Sequence, residues 1–85
     1  MSNETIISKT YNFVKSTLQA VEMMPKSYKF TFGDRLQTMA ADLLELSIEA
    51  YYAPRNEKRR LLLKINILLE KMRHFFRLGY ELGLY

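Results

Sequence analysis

Apolar side chains recur every three or four residues along most of this chain, a spacing typical of helices with one buried face. The pattern predicts three helices, over residues 5–23, 33–53 and 57–82. Pro25 and Pro54 come shortly after the first two helices and Gly83 follows the third, and both residue types are common where helices end. Because the links are short, we expect an all-α fold, an antiparallel helical bundle in a single domain over residues 1–85.

The apolar face is narrow in the first predicted helix and wide in the third. The stripe of the first helix consists of Ile7, Tyr11, Val14, Leu18 and Val21. The predicted buried side of the second helix consists of Leu36, Met39, Ala40, Leu43, Leu44, Ser47, Ala50 and Tyr51. The apolar arc of the third helix, wider than about 100°, consists of Leu61, Leu62, Ile65, Leu68, Leu69, Met72, Phe75, Phe76 and Gly79.

Further apolar residues of the third helix lie outside that arc, among basic side chains. A helix that is apolar on more than one side contacts neighbours on more than one side. A chain of 85 residues also has a small core, so association with other chains is a natural source of stability. We therefore expect a homo-oligomer, with an interface that includes Leu63, Ile67, Phe75 and Phe76.

The link between the first two helices contains an alternating aromatic pattern over residues 28–32. Alternation is typical of a strand, but the chain offers no second strand for pairing, so we predict an ordered connection between helices. The aromatic residues, expected to close the end of the bundle, are Tyr28, Phe30 and Phe32. Lys26 and Lys29 are then expected to point outward, and a binding loop is the alternative interpretation. The expected N-caps are Thr31 or Asp34 for the second helix and Asn56 for the third.

Composition restricts the classes of function. The chain has no cysteine and one histidine, which excludes disulfides and a cysteine-based zinc site. Residues 1–10 lack the basic and apolar regions of a signal peptide, and no run of about 18 apolar residues is present. We therefore expect a cytoplasmic protein without membrane contact and without a cofactor.

Positive charge is concentrated in the second part of the chain. Residues 1–53 contain five basic and six acidic side chains, whereas residues 54–85 contain eight basic and three acidic ones. Such asymmetry indicates a basic surface that faces phosphate or an acidic partner.

The sequence gives little support for catalysis or metal binding. Glu70 lies one turn before His74, but no third ligand accompanies them, so we expect a surface or interfacial histidine. Helical HEPN ribonucleases need an arginine separated from a histidine by four to six residues, and residues 67–69 are Ile, Leu and Leu. The carboxylates of the second helix, Asp42, Glu45 and Glu49, are interpreted as a solvated face or as partners of a basic surface. We expect no enzyme, no catalytic residue and no metal site.

The chain from about residue 20 to 85 resembles a known family. The matching segments are the block Pro-Lys-Ser-Tyr-Lys-Phe-Thr-x-Gly-Asp-Arg at 25–35, the Leu-Leu-Glu-Leu segment at 43–46 and the basic third helix. On these residues the sequence is similar to the accessory variability determinant proteins of diversity-generating retroelements. Those proteins are distant relatives of the 23S rRNA intervening-sequence proteins. Members of the family usually continue into a fourth helix beyond the position that matches Tyr85.

The resemblance implies a four-helix bundle that assembles into a pentameric ring with a positive surface. It also implies binding to a reverse transcriptase and to RNA or an RNA/DNA hybrid, in support of mutagenic cDNA synthesis. Lys26, Lys29 and Arg35 are carried over from the matched block as nucleic-acid-binding positions, although Arg35 could instead pair with Asp34 or an acid of the second helix.

The basic stripes of the third helix supply the other expected nucleic-acid contacts. These residues are Arg59, Arg60, Lys64, Lys71, Arg73 and Arg77. Such side chains neutralise phosphates without reading base sequence. The alternative is a protein–protein adaptor or an intervening-sequence-type bundle without direct nucleic-acid binding, in which the acidic and basic helix faces contact other subunits.

Overall fold

The computed structural model describes residues 5–84, and all regular structure in this part of the chain is helical. The elements are α1 (Ile6–Glu22), α2 (Lys26–Tyr28), a π-helix (Lys29–Gly33), α3 (Asp34–Tyr52) and α4 (Arg55–Glu81). The three long helices begin and end within two residues of the predicted bounds. Residues 1–4 and 85 of the predicted domain lie outside the described part. The fold is therefore all-α, as the hydrophobic period predicts.

Local hydrogen bonds explain where the first helix begins and where the last helix ends. At the start of α1, the backbone N–H of Ser8 donates to Thr5 Oγ1 at 3.2 Å and that of Thr5 donates to Ser8 Oγ at 3.0 Å, a reciprocal capping box. After α4, Gly83 has a φ of 69°, which a side chain would disfavour. The N–H groups of Gly83 and Leu84 then donate to the carbonyls of Tyr80 and Gly79, a Schellman turn that ends the helix.

The connection before α3 is helical rather than a loop. The π-helix runs directly into α3, and Gly33 at the junction has the helical values φ −63° and ψ −42°. The expectation that Thr31 or Asp34 caps α3 is therefore wrong, because neither side chain bonds to a free N–H there. Asn56 is not a cap either, because α4 begins at Arg55 and Pro54 occupies the N-cap position.

The middle long helix, α3, organises the core. It packs against both α1 and α4, whereas no Cα atom of α1 lies within 8 Å of one in α4. Long aromatic side chains close the remaining gap, since the rings of Phe13 and Phe76 meet edge to face with centroids 5.9 Å apart. The largest core cluster consists of Val14, Met39, Ala40, Leu43, Ala50, Leu61, Ile65 and Met72.

The buried face of α1 differs from the predicted stripe. Thr10 and Thr17 are buried beside Val14 and Val21, while Tyr11 is 57% exposed and Leu18 41% exposed. Each threonine hydroxyl donates to a backbone carbonyl one turn earlier in its own helix, so burial leaves no polar atom unsatisfied. The buried face of α1 is therefore displaced from the predicted stripe, toward Thr10 and Thr17.

Of the three aromatic residues predicted to close the end of the bundle, only Phe32 packs against the core. The ring of Phe32 lies 5.6 Å from that of Phe75 and packs on a second cluster, whereas Phe30 is 64% exposed and Tyr28 is also exposed. The buried members of that cluster are Val21, Met24, Leu36 and Leu84. The turn at Gly83 thus returns the end of the described chain to the core.

The molecule is more extended than a compact chain of its length. Its radius of gyration is 14.1 Å, against about 12 Å for a globular domain of this size. The cause is the length of α4, whose 27 residues extend beyond the 19 of α3. None of the described helices combines the length and hydropathy needed to cross a bilayer.

Candidate nucleic-acid interface

Each acidic residue of α4 forms an ion pair with an arginine of the same helix. Arg60 Nη2 lies 2.6 Å from Glu57 Oε1, Arg73 Nη1 lies 2.5 Å from Glu70 Oε2, and Arg77 Nε lies 3.2 Å from Glu81 Oε2. These pairs are solvent-exposed and three or four residues apart, so they add little stability. They do, however, offset the positive charge of three of the predicted nucleic-acid-binding residues.

The remaining cations of α4 carry an unbalanced positive charge. All are exposed, and within residues 5–84 none has a carboxylate within ion-pair distance. They are Arg55, Lys58, Arg59, Lys64 and Lys71. The α4 helix therefore presents five uncompensated cations, which fall into two groups with different surroundings.

Arg55, Lys58 and Arg59 form the first group, at the start of α4. They line a surface depression of about 500 Å³ together with Leu62, Leu63 and Asn66, which we call the basic depression. The first turns of a helix already carry a partial positive charge, so cations there disfavour the helix. Helix stability therefore does not explain the presence of three cations at this end of α4.

Two exposed tyrosines lie just before the basic depression. Tyr51 and Tyr52 end α3, and their rings meet edge to face with centroids 5.0 Å apart. Tyr52 is 76% exposed and Tyr51 is 45% exposed, which corrects the expectation that Tyr51 is buried. Tyr52 precedes Arg55, the first cation of the basic depression, by three residues.

Lys64 and Lys71, the second group, lie across a groove from the acidic face of α3. The groove has a volume of about 420 Å³. We call it the acidic–basic groove; its lining residues are Asp42, Glu45, Leu46, Glu49, Lys64, Ile67, Leu68 and Lys71. No carboxylate of the described chain lies within 4.0 Å of either lysine. The nearby acidic wall nevertheless weakens their attraction for phosphate.

The structure distributes the predicted nucleic-acid-binding residues over several surfaces. Lys29 Nζ lies 3.9 Å from Glu22 Oε1, in a weak ion pair. Lys26 and Arg35 are exposed at the other end of α3, and Arg35 has no ion pair within the described residues, so the alternative pairing with Asp34 is not observed. Only Arg59 of the predicted set lies in the basic depression. The predicted residues therefore do not form one continuous patch.

Sequence reasoning left out Arg55, Lys58 and Tyr52. A signal for the two cations was available, because neither has an acidic residue three or four positions away. Among the α4 cations, the same test selects the five uncompensated ones and rejects the three paired arginines. No sequence pattern indicated Tyr52, because its exposure depends on which side of α3 faces solvent in the folded chain.

The residues predicted for the oligomer interface fall into two classes. Leu63 is 60% exposed and Ile67 is 50% exposed, so both are accessible to another chain. Phe75 and Phe76 are half-buried against Phe32 and Phe13 within the chain. His74 is exposed, and no group of three or more potential ligands in the described part could hold a metal ion.

Comparisons with known proteins give no family assignment. No protein-family model matches the chain, and no curated protein or solved structure matches it.

Proposed function

We propose that this protein is a non-enzymatic accessory factor that binds RNA or an RNA/DNA hybrid through α4. The observation that carries the proposal is the set of five exposed cations on α4 that lack an ion-pair partner in the described chain. Lysine and arginine on a helix surface neutralise phosphates and release counterions, which gives affinity without base recognition.

The basic depression is the centre of the proposed phosphate contact. Its three cations lie within two turns of one helix and have no acidic neighbour among its lining residues. Lys64 and Lys71, by contrast, share their groove with three carboxylates. Phosphate is therefore expected to bind at the start of α4 rather than along its whole length.

A salt titration tests this proposal. We expect fluorescence anisotropy with a labelled single-stranded RNA to show affinity that falls with salt. Three neutralised phosphates give a log–log slope of about −2 on single strands and about −3 on duplex DNA. Replacing Arg55 and Arg59 together by glutamine should weaken binding and flatten the single-strand slope by about 1.4.

The matched control is Arg73→Gln with Arg77→Gln. It removes the same formal charge, but from arginines whose charge is offset by Glu70 and Glu81. We expect a clearly smaller loss of affinity from this control pair. Equal losses from both pairs, or RNA binding that ignores salt, would contradict a phosphate site at the basic depression.

The biological setting that we propose is a diversity-generating retroelement, with a reverse transcriptase as the protein partner. Support comes from the resemblance of residues 25–35 and 43–46 to the accessory variability determinant family. The test is size-exclusion chromatography of the purified protein with the purified reverse transcriptase of such an element, with and without its template RNA. Co-elution supports the assignment, and separate elution in both conditions contradicts it.

A homo-oligomeric adaptor is the second candidate function, and the acidic–basic groove favours it. One wall carries Asp42, Glu45 and Glu49, the other carries Lys64 and Lys71, and Ile67 between them is half exposed. Because the surface carries both signs of charge, the acidic wall of one copy complements the basic wall of a second copy. Head-to-tail contacts of this kind can close into a ring, such as the pentamer that the resemblance implies.

Light scattering with charge-reversed variants tests this assembly. Glu45→Lys brings a cation against the basic wall of the neighbouring copy and should reduce the measured mass, and Lys64→Glu should do so by bringing an anion against the neighbouring acidic wall. Both changes in one chain restore complementarity and should restore the mass. A wild-type protein that is monomeric at low and high salt would contradict the oligomeric adaptor and the ring.

A further inference from the structure

We propose that Tyr52 is a stacking platform for an unpaired nucleobase, so that the site at the start of α4 prefers single-stranded RNA to duplex. This inference rests on the proposed nucleic-acid function and adds the form of the ligand and the residue that selects it. The geometry behind it is the juxtaposition of an exposed, laterally supported tyrosine with the basic depression.

The backbone keeps Tyr52 close to the first of the cations. It precedes Arg55 by three residues, so their Cα atoms are at most about 11 Å apart. The intervening link is stiff, because Ala53 is extended with ψ 148° and Pro54 restricts its own φ, here −64°. A nucleotide whose base lies on Tyr52 can therefore present its own or the next phosphate to Arg55 and its neighbours.

The ring of Tyr52 is also held in place without being covered. Tyr51 supports it edge to face at a centroid distance of 5.0 Å, while 76% of Tyr52 remains exposed. Fixing the ring before binding lowers the entropic cost of stacking. The pair therefore differs from a single mobile surface tyrosine.

Single-strand preference follows from the chemistry of stacking. Every base has an aromatic face, so a tyrosine platform with nearby cations tolerates many sequences. In a duplex those faces are already stacked on neighbouring base pairs, and only phosphates remain accessible to the cations. The cations alone do not distinguish single-stranded from duplex RNA, because both present phosphates.

The chain supplies a matched control in Tyr80. This tyrosine is 73% exposed, nearly the same as Tyr52. It lies 21 residues after Arg59 on the same helix, which places it about 32 Å away along the axis. The nearby Arg77 is paired with Glu81.

A tryptophan reporter gives a direct measurement of stacking, because the chain contains no tryptophan. We expect the emission of Tyr52→Trp to be quenched by single-stranded oligouridine, with a midpoint that matches the anisotropy titration. Tyr80→Trp should show little change at the same RNA concentrations. Quenching of both reporters to the same degree would contradict a localised platform.

Affinity measurements complete the test. Tyr52→Ala should weaken single-stranded RNA binding by about 5- to 150-fold, while Tyr52→Phe and Tyr80→Ala stay within about twofold and duplex RNA binding is unchanged. Circular dichroism confirms that each variant remains folded. If wild type binds single strands but no more tightly than duplex, or tolerates Tyr52→Ala, the platform is refuted while the phosphate site stands. If wild type binds neither RNA, the proposed function itself fails.

Discussion

Gly33→Ala provides a sharp test of the packing at the junction between the π-helix and α3. The backbone of Gly33 is in the ordinary helical region, so glycine is not required there for its conformational freedom. A Cβ atom at this position would lie 2.9 Å from Val21 Cγ1, 3.5 Å from Met24 Sδ and 3.6 Å from the carbonyl oxygen of Tyr28. Close approach of α1, rather than an unusual φ, is the reason for glycine.

Two opposing effects determine the size of the change. Alanine is more favourable than glycine inside a helix by about 1 kcal/mol. Overpacking a buried site costs about 1–3 kcal/mol, and Val21 is fully buried and β-branched, so its side chain has little freedom to move. We expect a net loss of about 1 kcal/mol in the free energy of unfolding, equivalent to about 4–8 °C in Tm for a domain of this size.

Urea denaturation followed by circular dichroism measures this loss of stability. The same substitution in a Val21→Ala variant isolates its cause. In a Val21→Ala protein the clashing methyl group is absent, so only the helix-propensity effect remains. There Gly33→Ala should stabilise the protein by up to about 1 kcal/mol. The sign of the effect therefore reverses between the two backgrounds, which is a coupling between neighbouring residues. Stabilisation of the wild-type protein by Gly33→Ala would refute the proposed contact.

Three further predictions concern the end of the chain and the surface ion pairs. Leu84→Ala should lower the free energy of unfolding by about 2–3 kcal/mol, because Leu84 is buried in the second cluster. The control Leu82→Ala, at a half-exposed position, should lower it much less. Gly83→Ala should lower the free energy of unfolding by about 1–2 kcal/mol because of the positive φ alone, since a Cβ at this position would meet no atom within 4 Å. A thermal melt that shows no loss of stability would contradict the Schellman turn. Arg60→Gln should change stability by less than about 1 kcal/mol, as the pair with Glu57 is exposed, and a larger loss in urea denaturation would indicate an unrecognised structural role.

Local features of the sequence were sufficient to predict the three long helices. The 3.6-residue period, the two prolines and Gly83 act within one or two turns, so their consequences can be read without knowledge of the fold. The same is true of the charges on α4. Acidic residues three and four positions from an arginine pair with it wherever the helix lies, so the uncompensated cations are recognisable from spacing.

Other features depended on the neighbours of each helix. Periodicity cannot distinguish a stripe of large residues from an adjacent stripe that contains buried threonines. The choice of Thr10 and Thr17 over Tyr11 and Leu18 follows from the close approach of α1 to α3 and from hydroxyls satisfied within their own helix. The π-helix, which the sequence pattern did not predict, contains both Phe32, whose ring packs against Phe75, and Gly33, which lies against Val21.

The sequence by itself therefore determined the all-α class, the helix bounds and the excess of positive charge on α4, because these are set by interactions along one helix. Only the tertiary structure decided which residues surround that charge. It places Lys64 and Lys71 opposite the carboxylates of α3, and it leaves the cations at the start of α4 in a depression that no acidic residue lines. The physical reason is that electrostatic attraction and stacking depend on distances between elements, which sequence spacing does not encode.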